Sequence, residues 1–416
     1  MNVVALGSLA LLGLRWAAEA ILGWLNRRAV LRAMAAPRPA AVSAVMDEAT
    51  FRRSAEYTLA RSRFGVFSDT WEVGVLAIAL YSGIGPRIFI WTERWGRPGT
   101  SWTDALFVVL FLSLMGAASV PLGAWEQFRI ESTFGFNRMG AGLWIADRAK
   151  GTALSWALGF PLAWAVFALM GAVGRGWWIW GWMLMMAVQC VLLLAYPRWI
   201  LPLFNRLSPL PEGALKARLL ALAERTAFRA AAIQLMDGSR RSSHSNAFFT
   251  GFGRFRRIVL YDTLVERLEP EELEAVLAHE IGHYQLGHVP KALAMSTIVW
   301  AVCFAGVAYL ISAPWFAASF GYPAGAVAPA AFLAMLLAGP VGFWISPLAN
   351  LLSRRNEYAA DAFARRTIGT PAPMVASLRK LARDNLSNLT PHPWFSAFHY
   401  SHPTLVERER ALAESR

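Results

Sequence analysis

Seven stretches of about twenty apolar residues recur along the 416-residue chain, near 3–25, 72–92, 104–124, 153–174, 177–197, 292–313 and 327–350. Each is long enough to cross a hydrocarbon core as a helix. The first carries Arg15 and Glu19 within it. It has no basic flank ahead of its apolar run and no small-residue cleavage site, so it reads as a span rather than a removable leader. Between the fifth and sixth stretches the pattern changes. Asn246-Ala247-Phe248-Phe249-Thr250 and Ile258-Val259-Leu260-Tyr261 read as short strands around a turn containing Gly251 and Gly253. A helix is then expected over about 270–288: Pro270 suits a first turn, Glu271 and Glu272 complement the positive end of the dipole, and Leu273, Val276, Leu277 and Ile281 recur at helical spacing. Pro290 marks its end. The chain divides accordingly into 1–197 (five spans), 198–290 (first part of a polar domain), 291–350 (two spans) and 351–416 (second part).

Composition supports the membrane reading. Hydrophobic residues make up 56% of the chain, charged residues 16%, and there are 19 Trp; a soluble domain of this length carries more charge and fewer apolar residues. Charge then orients the spans. Eight arginines, from Arg27 to Arg63, lie between the first and second stretches, whereas residues 314–326 contain no Lys or Arg. Basic loops stay in the cytoplasm, so the amino terminus is expected outside and the carboxyl terminus inside. The net charge of +13 is accounted for by these loops and by anionic headgroups; no nucleic-acid motif accompanies it, and no nucleic-acid partner is expected. Cys190 and Cys303 both fall in spans and are expected to be packing residues, with no disulfide or thiolate metal site.

The chemistry lies in His279-Glu280-Ile281-Gly282-His283. On a helix, His279 and His283 stack at i and i+4 while Glu280 turns about 100° to an adjacent edge. Two imidazoles on one ion, with a carboxylate that reaches a water, is the arrangement of a zinc hydrolase. Catalytic zinc takes a third protein ligand and leaves a fourth position open. Glu357 is the best candidate, sharing a helix face with Asp361 among small alanines. Orientation brings the pentad and Glu357 to the same cytoplasmic side. His288 reads as a membrane-edge or surface histidine rather than a ligand, and His392 and His399 receive no role.

Taken together, these residues resemble the type I CAAX prenyl endopeptidase family. The resemblance rests on Glu131 to Arg138, Asp237 to Phe248, the pentad, Asn356 to Phe363 and Ser401 to Arg408, and it covers nearly the whole chain. Thr404 departs from the pattern, where a second proline is usual. The resemblance implies a mainly α fold: a seven-transmembrane-helix bundle enclosing a chamber, with a small α+β gluzincin-type zinc protease domain on the cytoplasmic side. It implies one zinc per chain held by His279, His283 and Glu357, with Asp361 orienting a ligating histidine. Asn246 and Ala247 would present an edge strand to the scissile peptide, and His402 and Arg408 would line the cleft where a donor steadies the oxyanion. Glu280 would act as general base and acid. Partners would be peptide or protein substrates, including C-terminally prenylated ones, and membrane lipid. His244 is expected to be structural. Ala- and Arg-rich composition points to a bacterial inner membrane, where a broad-specificity quality-control protease is the alternative reading; a membrane scaffold or transporter with structural zinc is a second.

Overall fold

The computed structural model describes residues 2–228, 232–250 and 256–414. The expected turn at Gly251 and Gly253 lies outside them. Helix α1 (Val3–Ala35) starts where the Asn2 side chain accepts from Ala5 N at 3.0 Å, and α2 (Glu48–Tyr81) where Asp47 accepts from Thr50 N at 2.7 Å. These are ordinary N-caps. Ser8 meets Tyr81, Trp16 donates to Thr70 and Arg27 donates to Ser62. As position rises along α1 it falls along α2, so the two helices are antiparallel over their length.

That pairing corrects the second expected span. The chain does not run straight through 72–92: α2 ends at Tyr81, Gly83 takes φ 76°, and a separate helix, Ile84–Trp95, follows. Positive φ is the conformation glycine reaches at little cost. The apolar count missed the earlier half of α2 because Arg52, Arg53, Glu56, Arg61 and Arg63 lie in it. Asp69 sits within electrostatic reach of Glu19, Arg15, Glu72 and His399, so these charges face one another rather than hydrocarbon.

Helices α3 (Ser101–Ala118), α4 (Ala141–Val173) and α5 (Trp177–Ala195) follow. Among the described residues, six helical segments are long and apolar enough to cross a membrane, and one of them, Ala141–Phe204, is interrupted at Gly174–Gly176 between α4 and α5. Indole donors tie neighbours together: Trp156 to Ser113 at 2.9 Å and Trp164 to Ser101 at 3.1 Å. Only Phe167 of α4 is buried, and only Trp177 and Gly181 of α5. Both cysteines are exposed, which corrects their expected packing role; they face outward from the helices that carry them.

A four-stranded sheet follows: β1 (Leu207–Pro209), β2 (Ala232–Met236), β3 (Ala247–Thr250) and β4 (Arg257–Tyr261), in the order β1-β2-β4-β3. β2 and β4 are parallel with Ile233 opposite Ile258, while β3 runs antiparallel to β4 with Ala247 opposite Leu260. β3 is therefore an edge strand. Ile258 and Leu260 pack with Leu219, Leu222, Leu264, Leu277 and Ile281 in the core of the polar domain. A second core, including Leu12, Leu80, Phe107, Phe111 and Phe332, gathers where α1, α2 and α3 meet the segment around Tyr322.

Helix α6 (Pro270–Gln285) carries the pentad, with Pro270 in its first turn and the Glu272 carboxylate accepting from Glu269 N at 2.8 Å. It ends sooner than expected. Gly287 takes φ 68° and α7 (His288–Ile311) begins at once, with Pro290 inside its first turn. Proline is tolerated there because its missing N–H is one of the unpaired ones. Helix α8 (Val327–Ile368) then runs 42 residues without interruption, through Pro340 and Pro347 and across position 350, into the polar domain. Helices α9 (Ala372–Asp384) and α10 (Leu405–Glu414) close the structure over α6 and α8.

Candidate active site

Helices α6 and α8 approach as closely as their backbones permit. A Cβ on Gly282 would lie 3.2 Å from Ala360 Cα, Ala360 O and Phe363 Cβ. This contact places His279 and His283 on α6 opposite Glu357 on α8. His279 Nε2 and His283 Nε2 are 3.2 Å apart, His283 Nε2 lies 3.2 Å from Glu357 Oε1, and His279 Nε2 lies 3.4 Å from Glu357 Oε2. Donors placed tetrahedrally about an ion with bonds near 2.0–2.1 Å are separated by about 3.3 Å. Glu357 is buried, and its Oε2 accepts no hydrogen bond among the described residues. A buried carboxylate oxygen without a donor is costly unless a cation completes it. The three residues together form a group able to hold a metal ion.

Behind this group lies a second layer. His279 Nδ1–H donates to Asp361 Oδ1 at 2.8 Å, which leaves the Nε2 lone pair aimed at Glu357 and His283. Asp361 is 1% exposed and is held from its far side by Arg408, whose Nε donates to Oδ2 at 2.8 Å and Nη2 to Oδ1 at 2.6 Å. Burial disfavours a charged His279, but the Asp361 and Glu357 carboxylates outweigh it and push its pKa up to about 9. Glu280 faces the opposite balance. Burial raises its carboxyl above the ordinary range, while His279 and His283 pull it down.

The candidate cleft residues separate. His402 is 65% exposed at its side chain, with Nε2 3.4 Å from Glu357 Oε1 and Nδ1 3.0 Å from Ser401 Oγ. Arg408 is 8% exposed; its Nε and Nη2 bond Asp361, and its Nη1 lies 3.8 Å from Glu357 Oε2, so it stands behind the ligand group rather than open to solvent. A planar guanidinium matches a carboxylate in two parallel bonds, and that match draws it inward. Ala247 begins the edge strand and Asn246 precedes it, the Asn246 side chain accepting from Ala247 N at 2.9 Å and its carbonyl from Tyr261 N at 3.1 Å. β3 packs against α6, yet no hydrogen bond among the described residues joins Asn246 or Ala247 to the ligand group.

The remaining histidines divide between surprise and agreement. His288 is buried, not at the surface, and its Nδ1 lies 2.9 Å from His283 Nδ1. A five-residue offset would place it on another face of one helix; the break at Gly287 swings it back. His399, given no role, lies 3.3 Å from Glu19 Oε2. His244 is structural: it stacks on Phe136 at 4.1 Å between ring centroids and lies 3.1 Å from Asn385 and 3.5 Å from Glu131. The 131–138 segment is thereby clamped beside the edge strand, with Arg138 N donating to Arg241 O and Ser243 N to Phe136 O, both at 3.1 Å.

Comparison with known proteins identifies the family. A family model described as the CAAX prenyl protease N-terminal domain, with five membrane helices, matches residues 27–206, and one for peptidase family M48 matches 209–416. The CAAX prenyl protease 1 homolog of Oryza sativa subsp. japonica is 34% identical over 404 residues, spanning 94% of this chain and 93% of its own. CAAX prenyl protease 1 of Saccharomyces cerevisiae is 31% identical over 392 residues, spanning 88% and 86%. The crystal structure of S. mikatae Ste24p matches with a TM-score of 0.91 at 29% identity and covers 99% of both chains. The chain therefore belongs to peptidase family M48 and is a multi-pass membrane metalloendopeptidase of the Ste24 type, hydrolysing peptide bonds.

Proposed function

We propose that His279, His283 and Glu357 hold one zinc ion and that the enzyme cleaves C-terminally prenylated CAAX-type peptides. The observation that carries the metal reading is the buried Glu357 Oε2, which accepts no hydrogen bond among the described residues, beside two imidazole Nε2 atoms that lie 3.2 Å apart and 3.2–3.4 Å from one or other oxygen of the same carboxylate. Zinc, when bound, supplies a Lewis acid that polarises the scissile carbonyl and acidifies water. Glu280 takes the proton of the attacking water and returns it to the leaving amine; its raised pKa suits both halves of that exchange. Asp361 fixes the His279 tautomer, and Arg408 fixes Asp361. His402 is the exposed donor beside the ligands that meets the oxyanion. The β3 edge, opening at Asn246 and Ala247, receives the peptide as an added strand, so affinity comes from backbone and needs little side-chain sequence.

The prenylated substrate is inferred from the names of the relatives, which are CAAX prenyl proteases. The spanning helices surround a water-accessible chamber: α4, α5 and α7 bury few residues on either face, and Arg15, Glu19 and Asp69 meet at span depth. With α4 and α5 counted separately the chain would have seven spans, and the arginine-rich first loop supports an amino terminus outside and a protease domain in the cytoplasm of a bacterial inner membrane.

The test incubates detergent-purified, zinc-loaded protein with a farnesylated CAAX-terminated peptide and its unprenylated twin, with Glu280→Gln as control, and identifies products by mass spectrometry. Release of an intact tripeptide from the lipidated peptide alone is expected. Indiscriminate cleavage of both would replace this substrate with broad membrane-protein clearance, and cleavage of neither would reject the assignment.

A further inference from the structure

The geometry points to His288 as a positioning residue for the metal centre, one that accepts a hydrogen bond from His283 and so fixes the ring that presents Nε2 to the ion. This rests on the zinc reading above. His283 turns Nε2 toward His279 and Glu357, at 3.2 Å from each, and turns Nδ1 toward His288 Nδ1, at 2.9 Å. A ring that ligates through Nε2 must carry its proton on Nδ1. His283 is then the donor, and His288 is the acceptor, in its Nε2–H tautomer. The rings meet at 70° with centroids 5.0 Å apart, an edge approach that aligns the lone pair of one with the N–H of the other rather than stacking their faces.

The two ligand histidines are thus oriented by unlike partners. His279 leans on the Asp361 carboxylate, which is itself pinned by Arg408, whereas His283 leans on an uncharged imidazole. Polar partners of metal-bound histidines fix tautomer and orientation, and their loss typically costs ten- to a hundredfold in metal affinity. His288 is placed to do this because Gly287, at φ 68°, reverses the chain within one residue and makes it the first residue of α7. It is 8% exposed, so water is poorly placed to substitute for it. The contact also links the ligand helix to a membrane-spanning helix.

The test compares zinc dissociation constants of full-length wild type, His288→Asn and His288→Phe by competition with a chromogenic chelator, alongside the visible spectra of the Co²⁺-substituted proteins. Asn can place its amide oxygen near the position of Nδ1, while Phe fills the space without an acceptor. His288→Asn is expected to bind within a few-fold of wild type with a similar Co²⁺ spectrum, and His288→Phe to bind roughly ten- to a hundredfold more weakly with an altered one. Thermal unfolding of the metal-free proteins checks that each is folded; if His288→Phe is not, His288→Leu takes its place. Equal affinity of wild type and the apolar variant, or equal loss in Asn and the apolar variant, overturns the assignment while leaving the metal centre intact. A wild type that binds no zinc overturns both.

Discussion

Gly282→Ala tests whether the approach of α6 to α8 sets the metal geometry. Its added methyl would stand 3.2 Å from Ala360 Cα, Ala360 O and Phe363 Cβ. Carbon contacts are comfortable at about 3.5–4.0 Å, so the helices must part by roughly 0.3–0.8 Å. Two of the three obstructing atoms are backbone, and no rotamer change relieves them. His279 and His283 ride on one helix and Glu357 on the other, so most of the parting appears in the Nε2-to-oxygen distances, now 3.4 and 3.2 Å. Metal bonds tolerate displacements of about 0.2 Å. Overpacking costs about 1–3 kcal/mol, and replacing glycine inside a helix returns about 0.5–1 kcal/mol. Metal-free stability should therefore fall by no more than about 2.5 kcal/mol. If about 1.4 kcal/mol of the strain is released only when zinc is absent, zinc affinity falls about tenfold. Chelator competition gives the affinity and thermal unfolding of the metal-free protein gives the stability. Wild-type zinc affinity in folded Gly282→Ala would refute the idea that this contact governs the site.

Glu280→Gln should retain one zinc per chain by elemental analysis and lose turnover by roughly 10²–10⁴-fold, because the proton acceptor is gone while the ligands remain; near-normal turnover would remove Glu280 from the mechanism. Arg408→Ala leaves the buried Asp361 carboxylate with His279 as its remaining partner, at a cost of up to about 3–5 kcal/mol that thermal or denaturant unfolding would register, and an unchanged transition would show that the fork contributes little. Glu19→Leu should lower peptide cleavage with zinc content unchanged, since it strips His399 of its partner within a polar interior patch; full activity would mean that Glu19 faces only lipid or interface.

What the residues disclosed on their own follows the range of the interactions involved. The pentad helix was legible because Pro270, the acidic first turn and the 3.6-residue recurrence of Leu273, Leu277 and Ile281 are local signals. Glu357 and Asp361 were legible as one face for the same reason. Gly282 carried no sign of its importance: only the backbone of α8 across from it makes a Cβ intolerable. His288 was misassigned because a five-residue offset is out of phase on one helix, and the left-handed Gly287 that restores it to the site looks like any other glycine. The second span was placed too late because average hydropathy counts a charge the same way whether it meets lipid or another charge, and Asp69 lies within electrostatic reach of Arg15, Glu19 and His399. Arg408 was expected in the cleft because a donor suits an oxyanion, and its pairing with the Asp361 carboxylate is made behind the ligand group.

The proposed ligands sit on elements that continue into, or adjoin, helices apolar enough to span a bilayer. α8 carries Glu357 directly downstream of an apolar span without a break, and α6 is joined to α7 by one left-handed glycine. Local contacts extend this attachment: Asn350 Nδ2 donates to Phe398 O at 2.5 Å and Arg354 Nη1 to Tyr400 O at 2.7 Å, tying the chain just before His402 to α8 at the turns below Glu357. Side chains required within about half an ångström of one another are best carried by rigid elements. Here that rigidity comes from α8, whose upper half is fixed in the buried cluster around Phe332 and whose lower half fixes Glu357 and Asp361. Excising residues 291–350 and joining the two parts of the polar domain would keep His279, His283 and Glu357 together and remove the constraint on their spacing. Metal affinity should then fall even in a fragment that retains its own core around Ile258, Leu277 and Ala364.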